Sequence, residues 1–348
     1  MKKNNNKKHK WLKWEFWPFW LFYIPVYFQY LYYSIRTGSF GFFSASNPLM
    51  TFGGFSNYSK SHVLKAIHED YIPITHLLTP PFGKSSPTDF GLSFPVIMKP
   101  DMGERGFLVE VIHTQQAYDA YLAQSKFPVV LQEFIDYPIE LGVMYHRFPR
   151  ENKGHITSVV RKEVLSVIGD GVSTLAELIT KGERTHYHQK MLFEQYAHEL
   201  NNKLEHGERK QLSHIGNHIR GATFYNANHL INESLHKVFD KIALPIEGYH
   251  FGRFDLKVPS LDDLYAGKNI KIVELNGANS EPTHIYDPSM PLLKAYKAMF
   301  AHWRTLYRIS KANHKTGVPY TSIWTIVREV RNSRKQRKSD KASIVDCL

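Results

Sequence analysis

The chain has 348 residues, 43% of them hydrophobic and 22% charged, a balance that excludes wholesale disorder and suggests one large domain or two modest ones. Its single cysteine, Cys347, excludes a disulfide framework and a cysteine-built zinc site. The formal net charge of +12 belongs to the ends: residues 1–13 carry six lysines and no acid, residues 328–341 carry seven basic residues against Glu329 and Asp340, and the body between is nearly neutral. That pattern argues against a nucleic-acid groove and for contact with an anionic surface.

Between Trp11 and Phe43, 16 of 33 residues are aromatic, and Phe16 to Ile35 holds no charge. Twenty uncharged residues are about enough to span a bilayer as a helix. Pro18, Pro25, Gln29 and Ser34 interrupt the run, and Trp and Tyr favour the headgroup level over the hydrocarbon core. The segment reads first as an anchor lying in one leaflet, with a transmembrane helix and a buried docking segment as alternatives. The lysines before it add attraction to anionic lipid. Nothing resembling a cleavage site directly follows it, which speaks against a signal peptide. Residues 36–57, rich in Gly, Ser and Phe, read as a linker lying along a surface.

Further along, residues 60–70 predict a short helix and Ile72–Leu78 a strand, followed by a Pro- and Gly-rich loop over 79–93. Phe94–Lys99, Phe107–His113, Val129–Ile135 and Glu140–Phe148 predict strands, with a helix over 115–124. His155–Ile168 reads as a long strand or a pair. Ser173 is a candidate N-cap for a helix at Thr174–Thr180, and residues 184–210 are polar and helical in pattern. Leu230–Ile242 is amphipathic, Phe251–Val258 and Ile270–Leu275 predict strands joined by a long loop, and Pro291–Tyr307 predicts a helix. There are no repeats, and strands clustered with flanking helices indicate an α+β fold. The boundaries drawn are 1–57 (basic, aromatic, membrane-associated, with a linker), 58–310 (the main α+β domain) and 311–348 (a basic tail).

Three pieces carry chemistry. The first is Gly252-Arg253-Phe254-Asp255-Leu256 with Ile272-Val273-Glu274-Leu275-Asn276-Gly277. Two carboxylates and an amide oxygen facing one point would make a hard, oxygen-rich site of the kind Mg²⁺ (or Mn²⁺) takes. Arg253, two residues from Asp255, points to the same side of a strand and could neutralise charge on a transferring phosphoryl group. The bland alternative is a pair of strands with solvent-facing acids. The second piece is Lys99 at a strand end, followed by a turn containing Gly103 and Gly106, which can set an ammonium and free N–H groups against phosphates. An ordinary hairpin would look the same. The third is the apolar strand through Glu133 and Ile135, then Glu140, which could receive an adenine ring and ribose hydroxyls. His186 and His188 lack an acidic partner at zinc spacing and read as a solvated helix.

In this order the pieces resemble the ATP-grasp superfamily, over roughly residues 58–300. Gly-Arg-Phe-Asp with Val-Glu-Leu-Asn is similar to the metal-binding core of D-alanine–D-alanine ligases. By that resemblance Asp255, Glu274 and Asn276 hold the metal and Arg253 is catalytic. Lys60 and Lys99 with Gly103 and Gly106 hold ATP phosphates, Glu133 and Ile135 the adenine, and Glu140 the ribose. Val160–Ile179, through Gly169-Asp170-Gly171, and Gly216–Ala222 resemble consecutive segments of cyanophycin synthetases. The loop 101–106 has fewer glycines than the usual pattern. Only the aromatic segment precedes Lys60, where these ligases normally carry an α/β domain that helps hold the first substrate. The resemblance implies an ATP-dependent ligase joining small or peptide-like carboxylates to amines through an acyl phosphate, without nucleic acid. The expected place is the cytosolic face of a membrane, and removal of residues 1–43 is expected to release a soluble domain that still binds ATP. A phosphotransferase, or an ATP-binding protein without ligase activity, are the competing expectations.

Overall fold

A computed structural model describes residue 14 and residues 17–103, 106–213, 216 and 221–345, with side chains to residue 335. The lysine-rich start, Cys347 and most of the segment 216–222 lie outside the described residues. The chain divides into two compact units, one formed by residues to 160 with those from 226, the other by residues 161–225. The secondary structure is mixed α and β, and both sheets whose full register is known pair antiparallel.

The first unit holds a four-stranded sheet and most of a five-stranded one. In the smaller, β1 (Thr75–Leu78), β2 (Val96–Pro100), β3 (Glu110–Ile112) and β4 (Val129–Glu133) take the order β1-β4-β2-β3. One face packs on α4 (Gln115–Gln124), burying Met98, Leu131, Tyr118 and Leu122 together. Thr114 caps that helix by accepting from Ala117 N–H, one of the donors a helix start leaves unpaired. In the larger sheet, β5 (Ile139–His146), β6 (His155–Glu163), β9 (Thr223–Asn226), β10 (Phe251–Val258) and β11 (Lys271–Asn276) take the order β11-β10-β5-β6-β9. Its inner face carries Leu141, Val143, Phe254, Leu256 and Leu275 against α7 (Glu233–Ala243). Leu235, Val238, Phe239 and Ile242 of α7 recur at three- and four-residue spacing, one apolar stripe, and all are buried. The connection between β10 and β11 is not a bare loop: it contains α8 (Leu261–Ala266), capped by Ser260 and closed by Gly267 in the left-handed conformation.

The segment before Lys60 departs most from expectation. It forms α1 (Phe19–Phe22) and α2 (Ile24–Thr37), with Pro18 as N-cap of the first and Pro25 in the first turn of the second. The prolines therefore start helices, where a missing N–H costs nothing. Both helices pack on α9 (Leu292–Lys315): Phe22 stacks on Tyr296, Tyr33 on Tyr307, and Gln29 donates to the Phe300 carbonyl at 2.9 Å. Residues 36–57 are not a surface linker. Phe42 and Phe43 are buried in the cluster with Leu306 and Ile309, packed on the apolar stripe of α9 beside Tyr33. Asn47 is fully buried and ties this segment to β10, donating to the carbonyls of Gly53 and Phe251 and accepting from the N–H groups of His250 and Phe251. Gly53 in turn accepts from Ala278 N–H just beyond β11.

The C-terminal stretch is helical, α10 (Ile323–Val345), with Ile326 and Val330 seated on the same cluster as Tyr33 and Phe42. Among the described residues no helix is long and apolar enough to cross a membrane.

The unit 161–225 has its own core of Leu165, Val167, Leu175, Ile179, Leu192, Leu204 and Leu212. It is built from an antiparallel pair of strands, β7 (Ser166–Ile168) and β8 (Arg209–Gln211), with α5 (Leu175–Lys181) and α6 (Gln189–Gln195) between them in the chain. The cap of α5 is Thr174, one residue beyond the expected Ser173, in a reciprocal capping box with Glu177. Ser173 instead donates to Asp170, whose carboxylate also accepts from the N–H groups of Val172 and Ser173. Those donors hold Asp170 well below the usual carboxylate range. Asp170 of the Gly-Asp-Gly segment is thus a turn former.

Candidate functional site

The register of β10 and β11 sets Arg253 opposite Asn276 and Asp255 opposite Glu274. Side chains alternate along a strand, so all four lie on one face, and the intervening Phe254 and Leu275 turn into the core. Arg253 holds Asp255 by two hydrogen bonds, Nε to Oδ1 at 2.7 Å and Nη2 to Oδ2 at 3.1 Å. Burial alone works against the arginine's charge, but Asp255, with Glu274 and Glu281 nearby, more than offsets it and raises the guanidinium's pKa. Asn276 donates Nδ2 to Asp255 at 3.2 Å and accepts from the Tyr58 hydroxyl at 2.9 Å.

Among the described residues no group of three or more His, Cys, Asp or Glu is placed to hold a metal ion. The expected set is of a different composition, two carboxylates and an amide. Those donors suit a hard divalent cation that keeps several waters and takes phosphate oxygens for the rest. The amide now turns its NH₂ toward Asp255, the orientation a carboxylate favours; a cation between them would favour the oxygen instead.

Lys99, at the end of β2, belongs to the other sheet and reaches across. Its Nζ donates to Gln132 Oε1 at 2.9 Å and to the Val273 carbonyl, next to Glu274, at 3.1 Å. Burial lowers its pKa to about 8, the nearby Lys60 adding to the effect and Glu274 and Asp101 opposing it. Lys60 opens α3 (Lys60–Lys65), and its buried ammonium donates to the carbonyls of Pro100 and Gly103 at 3.1 and 2.6 Å. The two expected phosphate lysines therefore flank one turn. Gly106, in that turn, takes the left-handed φ of +71°. Residues 104 and 105 lie outside the described residues.

The third group runs from the end of β4, where Glu133 lies, through Ile135 to Glu140 near the start of β5. Glu133 spends its carboxylate on Ile74 N–H at 3.1 Å, and the Ile135 carbonyl accepts from Lys257 Nζ at 2.8 Å. Glu140 stands opposite Lys257 in the β5–β10 register. The structure thus joins Lys99 to β11 at the residue beside Glu274, and sets Ile135 and Glu140 against Lys257 of β10.

Several neighbours escaped sequence reasoning. Gly142 lies opposite Asp255, and a Cβ there would come within 3.1 Å of Asp255 Oδ1 and 3.2 Å of Arg253 Cδ. Glu281 accepts from the hydroxyls of Tyr23 and Tyr286, while its carbonyl faces Arg253 Nη1 at 3.4 Å. Tyr23 thereby brings the aromatic segment to the edge of the site. A lone glycine within the apolar strand from Glu140 was the signal for Gly142; Tyr23 and Tyr58 gave none.

No protein-family model and no curated protein matches the chain. Solved structures do. A D-alanine–D-alanine ligase from Bacillus anthracis is similar at 13% identity with a TM-score of 0.43, over 74% of this chain and 69% of that one. A bifunctional glutathione synthetase from Pasteurella multocida is similar at 14% identity and 0.38, over 70% of this chain. The VanG D-Ala:D-Ser ligase from Enterococcus faecalis gives 14% and 0.39, over 70% of this chain and 59% of that one. The chain spans 36% of the length of the glutathione synthetase. What the chain can do is decided by its own residues.

Proposed function

We propose that the chain is an ATP-grasp ligase that joins a carboxylate to an amine. The observation that carries this is the bond from Lys99 Nζ to the Val273 carbonyl, which sets an ammonium from one sheet beside the carboxylates of the other. A triphosphate lying between the two sheets would meet Lys99 and Lys60 on one side and Arg253 on the other. Asp255, Glu274 and Asn276 would hold Mg²⁺, which when bound neutralises phosphate charge.

In the first step an oxygen of the substrate carboxylate attacks the γ-phosphorus and the bond to the ADP oxygen breaks, giving an acyl phosphate. Arg253 stabilises the charge spread over the transferring group, and Asp255 fixes the guanidinium's orientation. In the second step the amine nitrogen attacks the acyl carbon, the carbon–oxygen bond to phosphate breaks, and the nitrogen gives up a proton. The products are an amide, ADP and phosphate.

The test is purified protein incubated with ATP and Mg²⁺ against a panel of carboxylates and amines, read for ADP and for joined product. ADP release that needs a carboxylate, with amide formed only when an amine is also present, is the expected result. A phosphorylated acceptor that accumulates whatever amine is supplied would make the chain a phosphotransferase. No ADP from any pair would leave nucleotide binding without ligase chemistry.

A further inference from the structure

The helices α1 and α2 have two apolar faces, and among the described residues only one is covered. The inner face, with Phe22, Val26 and Tyr33, is buried on α9. On the outer face Trp20, Ile24, Phe28, Leu31 and Ile35 recur at spacings of three and four residues, one continuous stripe. Trp20 is 61% exposed, Phe28 70% and Ile35 71%, and Tyr27 and Tyr32 stand exposed beside them. A row of large apolar side chains this long marks an interaction surface.

The charges around it say what the partner is. Between Glu15 and Glu69 the sequence contains no acidic residue, and six lysines precede the helices. The helix α10, seated on the same aromatic cluster through Ile326 and Val330, turns outward a second stripe of Trp324, Arg328, Arg331 and Lys335. Trp324 is 79% exposed. Rings with polar tips, bordered by cations that outnumber the one acid among them, Glu329 paired with Arg328 at 3.6 Å, match a bilayer surface with anionic headgroups. A second copy of this chain is a poorer match, because between Glu15 and Glu69 the segment holds no acidic side chain to pair with the cations of another copy.

We infer that the outer face of α1 and α2 docks on an anionic lipid surface, inserting into one leaflet while α9 holds the inner face, with the basic stripe of α10 against the headgroups. The inference is independent of the ligase reading, since it rests on no residue of that site.

The experiment is co-sedimentation of the full chain with vesicles of phosphatidylcholine, alone or mixed equally with phosphatidylserine. Wild type should bind the mixed vesicles more tightly, and once bound should stay bound in high salt, because burial of rings is not screened. Phe28→Glu with Ile35→Glu should weaken binding by about tenfold or more, the factor expected from losing one large buried side chain. Arg328→Glu with Arg331→Glu should remove the preference for phosphatidylserine and leave binding to phosphatidylcholine alone unchanged. All four residues are exposed or near the surface, so an unchanged thermal unfolding midpoint accompanies each result. Wild type that fails to bind, or Phe28→Glu/Ile35→Glu protein that binds as wild type does, overturns the inference. So does a wild-type dimer that this pair of substitutions converts to monomer, which would assign the face to a second copy.

Discussion

Arg253 and Asp255, two residues apart on β10, hold each other by two hydrogen bonds while Glu274 stands directly across the ladder from Asp255. The two carboxylates therefore have different duties. Asp255 is almost wholly buried and balances a guanidinium, whereas Glu274 is half-buried.

Substitution should separate them. Asp255→Asn leaves a largely buried arginine without its counter-charge, so stability should fall by roughly 3–5 kcal/mol. Glu274→Gln keeps the volume and disturbs no such pair, so stability should change by only about 0.5 kcal/mol. Both should lose ATP turnover. Denaturant unfolding beside ADP release checks this, and a Glu274→Gln protein with wild-type turnover would remove Glu274 from the site.

The alternation of Arg253-Phe254-Asp255 and Glu274-Leu275-Asn276 was legible, because a strand has a period of two and apolar residues mark its inner side. That Asp255 meets Glu274, and that Lys99 crosses from a second sheet, depends on register and on packing between sheets, which no local pattern encodes. The aromatic segment was misleading for a related reason. When both faces of a helix are apolar the amphipathic period vanishes, so Phe22 and Tyr33 inside could not be told from Trp20 and Phe28 outside. The Gly- and Ser-rich composition of residues 36–57 suggested a linker, yet Gly53 and Gly54 are small because backbone from Phe43 and Gly277 passes against them.

Lys99 gives the site a pH dependence. Its pKa in the folded chain is lowered to about 8 from 10.5. Between those values the unfolded chain binds a proton that the folded chain does not, so stability should rise with pH across that window and be lost as pH falls through about 8. A triphosphate favours the ammonium, so ATP affinity should move the other way and weaken as pH rises past 8, with proton uptake on binding. Calorimetry in buffers of different ionisation enthalpy reads that uptake, and Lys99→Met should abolish both slopes. Identical slopes in Lys99→Met would assign the titration to another group.

Gly142 leaves the space in which Arg253 and Asp255 lie. An alanine there would press on Asp255 Oδ1 and Arg253 Cδ, and on Val160 at 2.9 Å. Crowding of this kind costs about 1–3 kcal/mol. Gly142→Ala should lower the unfolding midpoint by that amount and should also reduce turnover, because the guanidinium has to shift to make room. Lowered stability with unchanged turnover would show that the strand yields on the Val160 side and leaves the pair in place.

Removal of residues 1–43 tests how far the aromatic segment is part of the body. An anchor attached by a surface linker would come away and leave a soluble remainder that binds ATP. The structure gives the opposite expectation. Phe22, Tyr33, Phe42 and Phe43 are all buried, against Tyr296, Tyr307, Leu306 and Ile309 of α9 and their neighbours. At about 1.5–3 kcal/mol for each large side chain, their loss removes on the order of 6–12 kcal/mol, comparable with the whole stability of a typical domain. Tyr23 goes with them, and with it a hydrogen bond to Glu281 beside Arg253. The truncated chain should therefore aggregate or fail to fold, while Phe28→Glu with Ile35→Glu in the full chain should stay folded. Expression yield, circular dichroism and thermal unfolding of the two proteins decide it. A truncated chain that melts cooperatively near the wild-type midpoint would mean that α9 holds its place without the segment, and that α1 and α2 serve only the surface they face.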